Sequence, residues 1–164
     1  LARQQPKTAS APTPVALAEL AKSVVGELAP LADANGIDLG VTQADAVSLD
    51  ADADALATLL RNLVDNALRY TPRGGRVDVS VLAVPAPTLV VSDTGPGIPA
   101  AERARVFDRF HRLPGSSGLG SGLGLSIVKA IAEAAGASVA LDDAPGGGLK
   151  VSVRFAPGAV LRVP

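Results

Sequence analysis

The sequence contains no cysteine, which excludes disulfide bonds, zinc–thiolate sites, iron–sulfur clusters and thiol catalysis. Its one histidine, His111, cannot form a multi-histidine metal site within one chain. Neither sign of charge is in clear excess: 15 basic and 16 acidic residues leave a net charge of −1, so no nucleic acid or anionic membrane is expected as a partner. Aromatic residues are few, but 48% of the 164 residues are hydrophobic, mainly Ala, Val and Leu. This composition predicts one globular domain with an aliphatic core.

Long uninterrupted apolar segments are also missing. The longest uncharged runs, Val79–Ser92 and Leu113–Val128, are broken by prolines and by glycines respectively, so neither predicts a transmembrane helix. The chain begins at Leu1 without a basic and apolar leader. We interpret it as a fragment of a longer protein, whose membrane anchor or sensor would lie outside it.

Hydrophobic periodicity divides the chain into interspersed helices and strands. Residues 1–14, rich in Gln, Pro and Ala, predict a linker or the end of an upstream helix, residues 15–157 a domain, and residues 158–164 a C-terminal tail. The domain is predicted to be an α/β two-layer sandwich with a mixed sheet, because several of its strands are joined by hairpins. Helices are predicted from Val15 to Asn35–Gly36 and at 52–70 and 122–135, with a short helix at most in 99–107, and strands at 37–42, 46–50, 76–84, 88–93, 137–141 and 149–155.

The second predicted helix carries a polar stripe, Asn62, Asn66, Arg69 and Tyr70, along the border of its apolar face. Asparagine lowers helix propensity in mid-helix, and its carboxamide oxygen can coordinate Mg²⁺ together with phosphate oxygens. The alternative is that both asparagines are ordinary, partly exposed helix residues. The apolar face itself comprises Leu56, Leu59, Leu60, Leu63, Ala67 and Leu68.

A second candidate segment, Asp93–Ile98, directly follows the apolar strand at 88–92. A carboxylate at a strand end can accept a hydrogen bond from an exocyclic amine, and Gly95 and Gly97 would let a flat ring approach the backbone. The alternative is a tight turn in which Asp93 caps its own backbone.

A third segment, Gly118–Leu125, places alternating glycines before the helix at 126–135. Backbone N–H groups at a helix N-terminus bind phosphate, although no Walker-type Gly-Lys-Ser/Thr follows. Between the second and third segments, Arg105–Arg112 contains two phenylalanines and arginines that could reach anionic oxygen. For the glycine segment, the alternative is a flexible linker. For Arg105–Arg112, the alternative is a loop that is anchored by its phenylalanines and whose arginines are solvated.

In this order and spacing the four segments resemble the N, G1, F and G2 boxes of the ATP-binding catalytic domain of bacterial sensor histidine kinases. This domain belongs to a superfamily that includes DNA gyrase and the heat-shock chaperone ATPase. Asn62–Pro72 is similar to the N box almost residue for residue, and Phe107–Phe110 resembles the F box that distinguishes the kinases. The resemblance extends over Val15–Phe155. It implies a Bergerat-type fold: a mixed, mostly antiparallel sheet with about three helices on one face.

The resemblance also implies roles for individual residues, with ATP and Mg²⁺ as cofactors. Asn66 would hold Mg²⁺ and Asn62 would support the phosphate end, both counted as catalytic with Arg109. Asp93 would accept the adenine amine. The remaining implied contacts are Arg69 and Arg112 with phosphate, Tyr70 with adenine, Gly95, Gly97 and Ile98 around the base, and Gly120, Gly122, Leu123 and Gly124 at the hinge of an ATP lid.

The family's phosphoacceptor histidine motif is missing from this sequence, and His111 lies inside the F box. The resemblance therefore implies a catalytic fragment, expected to be monomeric, whose phosphoacceptor sits on an absent dimerisation domain and whose eventual phosphate recipient is a response regulator. The expected location is the cytoplasmic part of an inner-membrane sensor. Two alternatives stay open: a serine kinase acting on an anti-sigma antagonist, which the F box disfavours, and a nucleotide-binding regulatory module without kinase activity.

Overall fold

The computed structural model describes residues 12–107 and 124–156. Within these ranges no helix is both long and apolar enough to cross a bilayer. The elements in chain order are β1 (Thr13–Ala16), α1 (Leu17–Ala34), β2 (Asp38–Ala44), β3 (Ser48–Ala51), α2 (Ala53–Tyr70), β4 (Arg76–Leu82), β5 (Thr88–Asp93), α3 (Ala100–Arg103), α4 (Gly124–Ala134), β6 (Ser138–Asp143) and β7 (Leu149–Arg154).

Five strands form a mixed sheet in the order β2-β4-β5-β7-β6. The β2–β4 pair is parallel and the other three pairs are antiparallel, which confirms the predicted mixed, mostly antiparallel sheet. Alternate residues of β4, β5 and β7 are buried beneath α1, α2 and α4, giving one apolar core between two layers. The predicted fold class is confirmed.

Helix α2 begins and ends where local sequence signals place its ends. The Asp52 side chain accepts a hydrogen bond from the Ala55 N–H at 3.1 Å, which caps the first turn. The helix ends at Tyr70 because Thr71 precedes a proline and takes an extended conformation. All six residues of the predicted apolar face are buried, so this face fixes α2 to the sheet.

The N-terminal part differs from the prediction. The helix predicted from Val15 starts at Leu17, and Thr13–Ala16 form β1, which pairs with β3 in a separate two-stranded sheet. Val15 lies opposite Leu49 and is buried. Its apolar side chain therefore serves a long-range strand pairing that helical periodicity could not reveal, and the predicted division after residue 14 falls inside this strand.

Candidate functional site

A cavity opens between α2 and the sheet, close to the end of β5. Its empty space amounts to about 410 Å³, a figure that includes the solvent at its open mouth. Four segments contribute to it: α2, β5, β7 and the turn after β5. Its lining residues are Leu63, Asn66, Ala67, Tyr70, Val91, Asp93, Gly97, Ile98, Leu149 and Val151.

The lining is apolar except at a few points. Leu63 and Ala67 form the helical wall, and Val91 and Val151 form the wall contributed by the sheet. Such a slot favours a flat, weakly polar group such as a heteroaromatic ring, whose transfer from water it would stabilise. The polar groups on its border then decide which ring is accepted.

Asp93 is the buried polar group of this slot, at 7% exposure. Its Oδ1 accepts two backbone hydrogen bonds, from the Gly95 N–H at 2.9 Å and from the Leu149 N–H at 3.2 Å. None of the described residues donates a hydrogen bond to Oδ2. Within residues 12–107 and 124–156, one carboxylate oxygen is thus held by two backbone amides and the other has no donor.

Burial raises the pKa of the Asp93 carboxyl above its ordinary value, because it disfavours the charged form. The two backbone hydrogen bonds oppose this rise, since they stabilise the carboxylate. A donor on a ligand would act in the same direction as the backbone amides.

Two glycine turns lie close to Asp93. A Cβ on Gly95 would lie 2.8 Å from the Tyr70 carbonyl oxygen, so the turn after β5 passes close to the end of α2. A Cβ on Gly148, in the β6–β7 turn, would lie 1.9 Å from the Asp93 carbonyl oxygen. Only glycine permits these two approaches without movement of the backbone.

The polar stripe of α2 divides between two places. Asn66 and Tyr70 line the cavity. The Asn62 Nδ2 donates to the Thr58 carbonyl at 2.9 Å, and its Oδ1 would lie 3.6 Å from a Cβ on Gly124, the first residue of α4. Asn62 thus lies beside the N-terminus of α4 rather than in the cavity.

Arg69 is exposed, and its Nε contacts the Asp65 Oδ2 at 3.0 Å, one turn earlier on α2. It is not among the cavity-lining residues. Its predicted contact with phosphate stays a prediction.

The donor set for a metal is sparse. The described parts of the chain contain no group of three or more His, Asp or Glu side chains that could hold a metal ion. Asn66 offers one neutral oxygen at the cavity border. A cation that takes most of its ligands from water and phosphate, as Mg²⁺ does, fits this arrangement.

The family model described as "Histidine kinase-, DNA gyrase B-, and HSP90-like ATPase" matches residues 51–159, which include every cavity-lining residue. The chain belongs to this family. Its ATPase domain thus contains α2, the Asp93 turn and both strands that line the slot.

Several curated and solved relatives are named as sensor proteins or histidine kinases. The sensor protein QseC of Escherichia coli strain K12 is 39% identical over 86% of this chain, which spans only 31% of QseC. The mycobacterial sensor histidine kinase MprB superposes with a TM-score of 0.79 at 31% identity, covering 87% of this chain and 97% of that one. Full-length ShkA in complex with AMPPNP gives a TM-score of 0.73 at 28% identity, covering 89% of this chain and 32% of ShkA. The ATPase domain is therefore of the histidine-kinase kind.

Several predicted site residues of the ATPase domain converge on the cavity. Asn66, Tyr70, Asp93, Gly97 and Ile98 line it, and Gly95 forms the adjoining turn. Gly124 begins α4 beside Asn62. The roles proposed for these residues stay predictions. Arg109, Arg112, Gly120, Gly122 and Leu123, with the predicted lid hinge, lie outside the described residues.

Sequence reasoning missed the contribution of β7 and of the turn before it. From sequence alone, Pro145–Gly148 predicts only the turn of a hairpin between the last two strands, whereas Gly148 lies against the Asp93 backbone and the Leu149 N–H binds the Asp93 side chain. The three consecutive glycines were the available signal. Their proximity to Asp93 depends on the β5–β7 register, which sets Ser92 opposite Lys150 and cannot be read from local sequence.

Proposed function

We propose that this ATPase domain binds Mg·ATP and donates the γ-phosphate to a histidine on a dimerisation domain of the same, longer protein. One observation carries the proposal: a buried carboxylate, one oxygen of which receives no hydrogen bond from the described residues, lines an apolar slot together with Asn66. The slot suits adenine, and the border with Asn66 suits the phosphates.

At the base end, the Asp93 Oδ2 would accept a hydrogen bond from the exocyclic amine of adenine. A hydrogen bond to a charged acceptor contributes about 1.5–3 kcal/mol. The ring would lie against the apolar walls, with Ile98 and Tyr70 at the borders of the slot. Adenine recognition therefore combines one directional bond with burial.

At the phosphate end, two features of the chain accept negative charge. Asn66 would be the protein ligand of Mg²⁺, which when bound neutralises charge on the phosphate oxygens. The N-terminus of α4, an 11-residue helix, begins at Gly124 beside Asn62 and presents backbone N–H groups. Arg69, Arg109 and Arg112 are the proposed further phosphate contacts.

Phosphoryl transfer depends mainly on positioning and on charge stabilisation, and a site built from amides, backbone N–H groups and arginines supplies both. The acceptor histidine would come from the dimerisation domain, and a response regulator would receive the phosphate afterwards. We infer that the domain is the cytoplasmic part of an inner-membrane sensor and is monomeric on its own. The solved relative in complex with AMPPNP supports the nucleotide part of this proposal.

The test combines binding with transfer. Calorimetry on this chain should show ATP binding that strengthens with Mg²⁺, and radiolabel from γ-labelled ATP should move to a histidine on the protein's own dimerisation domain when that domain is supplied. Binding without transfer would favour the regulatory nucleotide-binding module. Transfer to serine on an anti-sigma antagonist would favour the serine kinase.

A further inference from the structure

The Asp93 carboxylate is held by two segments far apart in sequence. One is its own turn, through the Gly95 N–H two residues away, and the other is β7, through the Leu149 N–H 56 residues away. The two turns also touch, since a Cβ on Gly97 would lie 3.2 Å from the Gly148 carbonyl oxygen. The β6–β7 turn is therefore packed directly against the candidate adenine-binding residue.

We propose that the β6–β7 turn, through Gly148 and the Leu149 N–H, is a positioning element that makes the site selective for adenine over guanine. This inference rests on the proposed function, because it assumes that the base binds at Asp93. Gly148 and Leu149 act through Asp93 and are positioning residues.

The chemistry of the two bases explains why orientation matters. Adenine presents an amine donor at C6, whereas guanine presents a carbonyl oxygen there and N–H donors at N1 and C2. A carboxylate oxygen fixed toward the C6 substituent attracts adenine and repels guanine. A carboxylate free to rotate could accept from the guanine N1–H and C2 amine, so selectivity requires that the carboxylate be fixed.

A single hydrogen bond from Gly95 does not fix it. That bond joins the side chain only to the turn after β5, so it restrains Oδ1 relative to that turn alone. The Leu149 N–H belongs to the sheet, which is anchored by the β5–β7 ladder. This second hydrogen bond holds Oδ1 against β7 and thereby fixes the direction of Oδ2.

Gly148 makes this second bond possible. It adopts φ +98°, and its Cβ would overlap the Asp93 carbonyl oxygen at 1.9 Å, so any side chain there must displace the turn from Asp93. Gly146 is a matched control: it also has a positive φ, +82°, but its Cβ would meet nothing within 4 Å. Both alanine variants carry the left-handed backbone cost, and only Gly148→Ala displaces the turn.

The experiment measures ATP and GTP affinities of this chain, wild type, Gly148→Ala, Gly146→Ala and Asp93→Asn, by calorimetry with Mg²⁺. We expect Gly148→Ala to weaken ATP binding about tenfold, the loss of roughly one hydrogen bond to a charged group, and to lower the ATP-to-GTP preference by a similar factor. Gly146→Ala should keep the wild-type preference, even if its melting temperature falls.

A backbone variant covers the case in which Gly148→Ala does not fold. Replacing Leu149 with its α-hydroxy acid removes only the N–H, and the side chain that lines the cavity stays. We expect the same loss of preference, and we expect the pKa of Asp93, followed by carbon NMR of its carboxyl, to rise because one stabilising hydrogen bond is lost.

The outcomes separate the two proposals. If wild type binds no ATP, or if Asp93→Asn binds ATP as wild type does, the proposed function fails and this inference fails with it. If Asp93→Asn loses ATP binding while the ester variant and any folded Gly148→Ala keep the preference of Gly146→Ala, only the inference is overturned.

Discussion

Helix α2 carries two adjacent faces: an apolar face that packs against the sheet and a polar stripe that is proposed to contact ligand. Leu59, Leu60 and Leu63 are at most 2% exposed and hold the helix against the sheet. Asn62 and Asn66 lie on the same helix beside this face and are only partly buried. Residues that stabilise the fold and residues that would bind ligand are therefore neighbours on one helix. Substitutions on the apolar face should lower stability, and substitutions on the polar stripe should lower binding or transfer.

The largest difference between the effect on activity and the effect on stability is expected for Asn66→Ala. This variant should abolish phosphoryl transfer and leave the melting temperature nearly unchanged. The side chain lies at the cavity border, where truncation costs about 0.5 kcal/mol or less. Transfer to a supplied dimerisation domain and thermal melting are the two measurements. Arg61, also on α2, forms an exposed pair with Glu27 of α1, and Arg61→Ala is the control that should retain transfer. Unchanged Mg²⁺-dependent ATP binding in Asn66→Ala would contradict the assigned ligand.

The opposite pattern is expected for Leu60→Ala. Leu60 is fully buried but does not line the cavity, so its truncation should lower the free energy of unfolding by about 2–5 kcal/mol. ATP affinity, measured below the unfolding transition, should stay near that of wild type. Leu31→Ala, at a position 40% exposed, should cost clearly less. A selective loss of ATP binding in a stable Leu60→Ala protein would show that the two faces are not separable.

Asp93→Asn extends the comparison to the sheet. The variant should weaken ATP binding by about 1.5–3 kcal/mol, the contribution of a charge-assisted hydrogen bond. Denaturant unfolding of the same variant should show a smaller change, because an amide is easier to bury than a carboxylate. Calorimetry that shows wild-type affinity for ATP would remove Asp93 from the site.

The pH dependence of ATP affinity should be a smaller effect than the Asp93→Asn substitution, and it also arises from the Asp93 carboxylate. Burial raises the pKa of Asp93, and the adenine amine needs the ionised carboxylate, so ATP affinity should fall as the pH drops through that raised pKa. The contribution of Asp93 to folding has the other sign: it is complete below the ordinary Asp pKa and is lost as the pH rises through the raised value. In Asp93→Asn both dependences should disappear. An ATP affinity independent of pH in wild type would contradict the assignment.

The smallest effect is expected for Arg69→Ala. Its exposed pair with Asp65 contributes about 0.5 kcal/mol or less to folding, and this contribution should be screened by salt. If Arg69 leaves Asp65 to contact phosphate, as proposed, ATP binding should weaken while adenosine binding stays the same. Equal binding of ATP by both proteins at low salt would assign Arg69 to the ion pair alone.

The sequence could predict the features that depend on neighbours along the chain. Helix α2 has a capping Asp52, a continuous leucine face and a terminating Thr71–Pro72, and strand β5 ends at Asp93 before a glycine turn; both were predicted within one or two residues. The strand β1 and the role of Gly148 were not predictable in this way. Both depend on pairings between strands distant in sequence, which no local pattern encodes.

The irregular register of β2 has a consequence for how these domains behave when crowded together. Strand β2 forms one edge of the five-stranded sheet, and its pairing with β4 shifts between Val41 and Gln43. The other edge, β6, ends in two exposed aspartates, Asp142 and Asp143, and Asp143 forms an ion pair with Arg103. A bulge and charged side chains on an edge strand both hinder the addition of a foreign strand. Both edges of the described sheet are thereby protected against edge-to-edge aggregation.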